Sequence, residues 1–206
     1  RAKRAIAKLT DRFTSDKIGL IIFAVDAYMQ VPVTTDYSAL KMFLSSVSPQ
    51  QVSNQGTAIG SAIDLAMNSF PPTEEGARAL VVLTDGENHE DNPVEKAKEA
   101  AQEGIHVYTM GVGLSKAVPI PNPERPGTYF KDKNGQTAVT KLDETSLQQI
   151  ALAGEGSYVR ANNLRTGLNA IYDEMKNLER GKTEITEYDD YAEKFQYYAG
   201  FAALLL

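Results

Sequence analysis

Two residues of this chain have the type and the setting to hold a hard cation. Asp85 follows the continuously apolar run Leu80-Val81-Val82-Leu83 and is itself followed at once by Gly86. Such a run suits a strand covered by helices on both faces, and the acid then stands at the strand's carboxyl end, where open α/β sheets keep their ligands. Thr57, after Gly56, opens a separate helix. A hydroxyl and a carboxylate converging on one crevice are hard oxygen donors of the kind Mg²⁺ takes in a near-octahedral shell that retains water.

Taken locally, Thr57 serves equally well as a plain helix N-cap, and Asp85 as the cap of a turn. Gly56, Gly86, Glu87 and Asn88 flank the pair and could support it from behind. His89, in the same loop, reads as solvated, and His106, inside an apolar run, as a packed or edge residue. Gly111-Val112-Gly113 lacks the third glycine of a dinucleotide loop and runs into a proline-rich stretch where a helix would be needed. A reading from another class makes Asp85 a phosphoacceptor, or the centre of another α/β enzyme. A phosphoacceptor needs paired acids at the end of a first strand and a Lys on a late loop, and neither is visible.

The elements that must position these residues follow from periodicity. Residues 1–13 place Ile6, Leu9 and Phe13 on one helical stripe, and Ile18–Val25 is a continuous apolar strand. Tyr28–Val33 is an edge-like strand broken by Pro32. Asp36 can cap a helix carrying Leu40, Phe43, Leu44 and Val47 on one face. After the polar loop 50–56, a second helix aligns Ile59, Ala62, Ile63, Ala66 and Phe70 and stops at Pro71-Pro72. The strand ending at Leu83 comes next. Asn92-Pro93 then starts a helix with Ala97, Ala100 and Ala101 inward, closed by Gly104.

Ile105–Val112 is a further strand. Residues 114–127 hold four prolines, and Asn134-Gly135 within 129–140 signals a type I′ hairpin. Leu147, Ile150 and Ala151 mark a helix, Tyr158-Val159-Arg160 a brief strand, and Leu164 to Met175 a last amphipathic helix. Strands alternating with helices predict a doubly wound, mainly parallel sheet with helices on both faces. The expected organisation is one α/β domain over 1–178, with a hairpin insertion at about 114–142.

Composition agrees with one ordinary globular domain. The chain has 206 residues, 42% of them hydrophobic and 23% charged. A net charge of −6 without an Arg/Lys block argues against nucleic acid as a partner, and the lack of cysteine excludes disulfides and thiolate metal sites. The first residues read directly as helix, with no signal peptide. The last ten, Tyr197 to Leu206, are strongly apolar, whereas a bilayer crossing takes about 20 such residues. These ends predict a piece of a longer protein, with an acidic juxtamembrane linker at 179–193 and the start of a truncated transmembrane helix at 194–206. A docked helix in a soluble protein is the alternative. The linker's shortage of Lys and Arg favours the periplasmic side of a cell membrane.

The ordered motifs Gly56-Thr57-Ala58-Ile59, Leu83-Thr84-Asp85-Gly86, Gly111-Val112-Gly113 and Gly154-Glu155-Gly156-Ser157-Tyr158 resemble those of a von Willebrand factor type A domain. More narrowly, Phe23-Ala24, Thr34-Thr35-Asp36-Tyr37, Gln55 to Gly60 and Thr84 to His89 resemble the membrane-anchored Bacteroides aerotolerance (Bat) proteins. The resemblance implies a non-enzymatic protein-interaction domain with a Mg²⁺-dependent adhesion site, in which Thr57 and Asp85 match two of the ligands. The family's Asp-x-Ser-x-Ser run, on its first central strand, has no counterpart here. Residues 1–13 match the helix that follows that strand, so the run would lie just upstream of Arg1, and the chain as given is expected to bind Mg²⁺ poorly. Implied partners are sibling type A proteins and an AAA+ ATPase of the MoxR class, at the cell membrane.

Overall fold

The computed structural model describes residues 2–47, 58–71, 77–84, 91–113, 118–119, 125, 127–131, 135–137, 139–160 and 166–177. The chain alternates as expected through α1 (Ala2–Thr10), β1 (Ile18–Phe23), β2 (Ala27–Thr34), α2 (Tyr37–Ser46), α3 (Ile59–Met67), β3 (Arg78–Thr84), α4 (Pro93–Gln102) and β4 (Ile105–Gly111). The short strands β5 (Val118–Pro119) and β6 (Val139–Thr140) precede α5 (Glu144–Ala153) and β7 (Glu155–Arg160). A closing helix, α6, covers residues 166–177.

β3, β4 and β7 form a parallel sheet in that order, and β1 pairs antiparallel with β2. Alternation along the parallel strands divides the core into two layers. Val82, Ile105 and Val107 point to one face, where Ile59 and Ile63 of α3, Ala97 and Ala100 of α4, and Leu147 and Ile150 of α5 meet them. Tyr108 and Met110, with Val81 and Leu83, point to the other face, under Ala5 of α1 and Leu168 and Ile171 of α6. The doubly wound α/β architecture predicted from the pattern is present: parallel strands with helices on both sides.

Local chemistry explains where elements begin. Asp36 accepts from the backbone N–H of Ser38 (3.1 Å) and Ala39 (2.9 Å), Asn92 from that of Glu95 (3.4 Å), and Asp143 from that of Ser146 (3.1 Å). On the far side of the molecule, α6 is tied to the α1–β1 connection. Arg12 stacks over the Tyr172 ring at 4.2 Å and pairs with Asp173, while Lys176 pairs with Asp16 at 2.9 Å.

Several sequence expectations differ in detail. α1 ends at Thr10, so Phe13 lies beyond the helix and meets Tyr172 edge-on at 4.9 Å instead of continuing a stripe. β1 stops at Phe23 because Ala24 donates to the Asp26 carbonyl and turns the chain into β2. Phe43 is exposed on α2, where Leu40 and Leu44 supply the buried contacts. α3 ends at Met67, before Phe70, and Ala101 is only half-buried on α4. β7 begins three residues earlier than its apolar pattern suggested, at Glu155, whose φ of 52° makes the turn out of α5. In the insertion, Lys131 bridges Thr137 around Gly135 (φ 77°), while Val139–Thr140 pairs with Val118–Pro119. Asn134, residues 179–193 and 194–206 lie outside the described residues.

The central strands are unevenly covered. β4 is buried at every position but His106, whereas β1 has no buried residue and β3 only Val82. Among the described residues no ladder joins β1 to β3, although α3 packs on both. Each strand therefore pairs along one edge, β1 with β2 and β3 with β4.

Candidate functional site

Thr57, Asp85, Gly56, Gly86, Glu87 and Asn88 lie outside the described residues, as does His89. The described residues on either side of them define the frame from which both segments spring. Ala58 donates its N–H to the carbonyl of Ala24, just past the end of β1, at 2.6 Å. Thr84 ends β3, and its carbonyl accepts from Val112 N–H at 2.9 Å, closing the last rung between β3 and β4. Thr84, Gly111 and Arg160 are in register across β3, β4 and β7, so they form one row at the carboxyl rim of the parallel sheet.

The N-cap position of α3 is Ala58, one residue past Thr57, and no side chain of the cap residue bonds to the helix. A methyl group cannot accept, yet the first-turn N–H groups of a helix need acceptors. One acceptor comes from elsewhere in the chain. The Asp91 carboxylate takes the backbone N–H of Ser61 at 2.7 Å and lies 3.3 Å from its hydroxyl, which also donates. Gly60 makes room for it, since a Cβ there would stand 2.9 Å from the Asp91 carboxyl group. The segment after β3 thus returns to the start of α3. Sequence reasoning missed Asp91, because Thr57 already offers this helix a cap in the sequence; the remaining signal is a carboxylate just ahead of Asn92-Pro93.

A second contact holds the two helices together. Lys96 of α4 pairs with Asp64 of α3 at 3.0 Å and with Glu99 at 2.8 Å, and hydrogen bonds to Glu99 and then Asp64 raise its pKa above the usual lysine value. Further along the rim, Glu144 accepts from the Tyr158 hydroxyl at 3.1 Å and pairs with Arg160 at 3.2 Å. Burial, followed by the bond to Glu144, pushes the Tyr158 pKa up to about 12. Gly111 is required beneath this group, because a Cβ there would come within 2.7 Å of the Tyr158 hydroxyl. His106 sits on β4 well away from the rim, its Nδ1 3.0 Å from the Glu155 carbonyl, as a strand-edge residue would. No group of three or more His, Cys, Asp or Glu side chains able to hold a metal occurs among the described residues.

With this frame in view, comparison with known proteins gives the class. The von Willebrand factor type A domain profile matches residues 1–174, and the chain belongs to that family, a metal-dependent adhesion and protein-interaction fold. An aerotolerance-related membrane protein from Bacteroides fragilis is 46% identical, superposes with a TM-score of 0.81, and is matched over 85% of this chain and 87% of that one. BatB from Bacteroides thetaiotaomicron is 47% identical, with a TM-score of 0.82 and 87% of each chain covered. A proximal thread matrix protein of the mussel byssus, solved with a zinc-occupied MIDAS motif, shares the fold at 20% identity and a TM-score of 0.57, over 85% of this chain and 38% of its own. The chain spans about half the length of the curated relatives it matches, 56% of one and 52% of another.

Proposed function

We propose that this chain is the interaction domain of a membrane-tethered Bat-type protein and binds a partner carboxylate through a Mg²⁺ ion held in part by Thr57 and Asp85. The observation that carries the reading is the return of the segment after β3 to the helix that Thr57 precedes. Asp91 bonds to Ser61, and Ala58 bonds to the end of β1, so the described flanks of both ligand segments meet at one corner of the fold. The donor set fits the ion: a hydroxyl and a carboxylate are hard oxygen ligands, and no thiolate competes in a chain without cysteine. When bound, the ion would supply an open electrophilic position for the partner's carboxylate. The chain's own contribution is to fix two oxygen donors on separate loops and to present them at the rim, with Gly56, Gly86, Glu87 and Asn88 beside them.

The remaining ligands belong, in this proposal, to a parallel strand seated between β1 and β3. Support comes from the half-exposed apolar edges of those two strands and from α3 spanning both. The Asp-x-Ser-x-Ser run expected ahead of Arg1 would ride on that strand. The acidic segment 179–193 and the apolar segment 194–206 complete the proposal as linker and membrane anchor, with the domain on the periplasmic side; no helix among the described residues is long and apolar enough to cross a membrane. Sibling type A proteins and a MoxR-class ATPase are the proposed partners.

Calorimetric titration of Mg²⁺ into the longer protein, with and without Thr57→Ala and Asp85→Ala, tests the site. Loss of binding in both variants is expected, and unchanged binding in Asp85→Ala would overturn it. Incorporation of phosphate at Asp85 from acetyl phosphate would favour the phosphoacceptor reading instead.

A further inference from the structure

We infer that Asp91 is a positioning residue for the metal site: its carboxylate clasps the start of α3 and so fixes the spacing between the segments that carry Thr57 and Asp85. The inference rests on the proposed metal role of those two residues and goes beyond it, because Asp91 matches no ligand position of the site. Three observations support the clasp. α3 has no cap of its own at Ala58, and the Asp91 carboxylate occupies the place a cap side chain would take, on the Ser61 N–H at 2.7 Å. Gly60 leaves space for that approach, since a Cβ there would lie 2.9 Å from the carboxyl carbon and Oδ2 and would push the carboxylate away. Asp91 also directly precedes Asn92, the cap of α4, so one short segment caps two helices that pack on each other.

A ligand loop tethered at only one end samples many positions. The contact of residue 91 with residue 61 fixes where the chain that follows Asp85 meets the start of α3. The partial positive charge at the helix N-terminus also attracts the carboxylate. Partners that orient a metal site in this indirect way change affinity by about 10- to 100-fold when removed.

Calorimetry with Mg²⁺ alone on the longer protein separates this role from general stability. Asp91→Ala is expected to weaken Mg²⁺ binding by about tenfold or more, at the lower end of that range. Asp91→Asn retains an acceptor for the Ser61 N–H and is expected to stay near wild type. Gly60→Ala keeps every charge and is a better helix former than glycine, yet its methyl displaces the carboxylate; it is expected to hold or raise the melting temperature while weakening Mg²⁺ binding. Asp36→Ala, which removes the equivalent cap from α2, is the stability control and should leave Mg²⁺ affinity unchanged. Wild-type affinity in Asp91→Ala, or equal losses in Asp91→Asn and Asp91→Ala, would overturn the clasp while leaving the metal site standing. An equal loss in Asp36→Ala would do the same. Absence of Mg²⁺ binding in the unmodified protein would overturn both.

Discussion

β4 and β1 are similar as text and different as structure. Ile105-His106-Val107-Tyr108-Thr109-Met110-Gly111 contains a histidine and a threonine yet is almost wholly buried, while Ile18-Gly19-Leu20-Ile21-Ile22-Phe23 is entirely apolar or glycine and has no buried position. Neighbours make the difference. β4 has a hydrogen-bonded strand on each side and helices on both faces, so even Thr109 is fully buried, its hydroxyl donating to the Leu147 carbonyl at 2.8 Å. Among the described residues β1 has a strand on one side only. Apolar composition states what a strand could bury, and the sheet decides what it does bury. An apolar edge left open is a pairing surface, which is why the β1 and β3 edges carry the proposal of an additional strand.

The contrast can be broken or sharpened by mutation, and the largest effect belongs to β4. Ile105→Ala should cost about 3–4 kcal/mol in urea unfolding, and Ile22→Ala about half of that, because the β1 site already touches solvent. Equal losses would contradict the difference in burial. In a protein whose sheet is completed between β1 and β3, the Ile22→Ala loss should rise toward that of Ile105→Ala.

Gly156→Ala comes next, at about 1–3 kcal/mol. Its Cβ would collide with the Val107 carbonyl, where β7 runs against β4. A thermal melt indistinguishable from wild type would show that β7 can shift away from β4. Helix caps should cost less and should not distinguish the two regions: Asp36→Ala and Asn92→Ala are each expected to lose about 1 kcal/mol.

The smallest effect is at alkaline pH. The Tyr158 pKa is raised to about 12 by burial and by Glu144, and that of Tyr108 to about 12 by burial and then by Glu174. Both folded values exceed the ordinary tyrosine value of 10.0. The stability this represents is therefore complete below pH 10 and is lost between about pH 10 and 12, as the unfolded chain releases its protons first. A spectrophotometric tyrosine titration should show a late phase above pH 10 to which these two contribute, and Tyr158→Phe should reduce it. A late phase unchanged in Tyr158→Phe would assign it elsewhere.

How much of this was legible beforehand depended on whether the signal was local. The caps at Asp36 and Asn92, the Val-rich run of β3 and the alternation of strand and helix are written in neighbouring residues, and the structure contains each of them. Phe43 lies on the apolar stripe yet is exposed, because a helical stripe gives a direction without saying how wide the contacting surface is. The sequence pattern shows only three residues of β7 because Glu155, Gly156 and Ser157 are not apolar; they form strand because Gly156 allows close approach to Val107. Asp91 is invisible in the sequence because its partner is 30 residues away and Thr57 already offers that helix a cap. The candidate ligands Thr57 and Asp85 were legible as chemistry, through residue type and motif order.

Amide hydrogen exchange in β1 and β3 tests most directly whether the sheet takes another strand between them. In residues 1–206 alone, the β1 and β3 amides that point away from β2 and β4 should exchange far faster than those of β4. In the longer protein carrying the upstream segment, the same amides should become as protected as β4. Slow exchange at both edges in residues 1–206, unchanged by the upstream segment, would contradict the account.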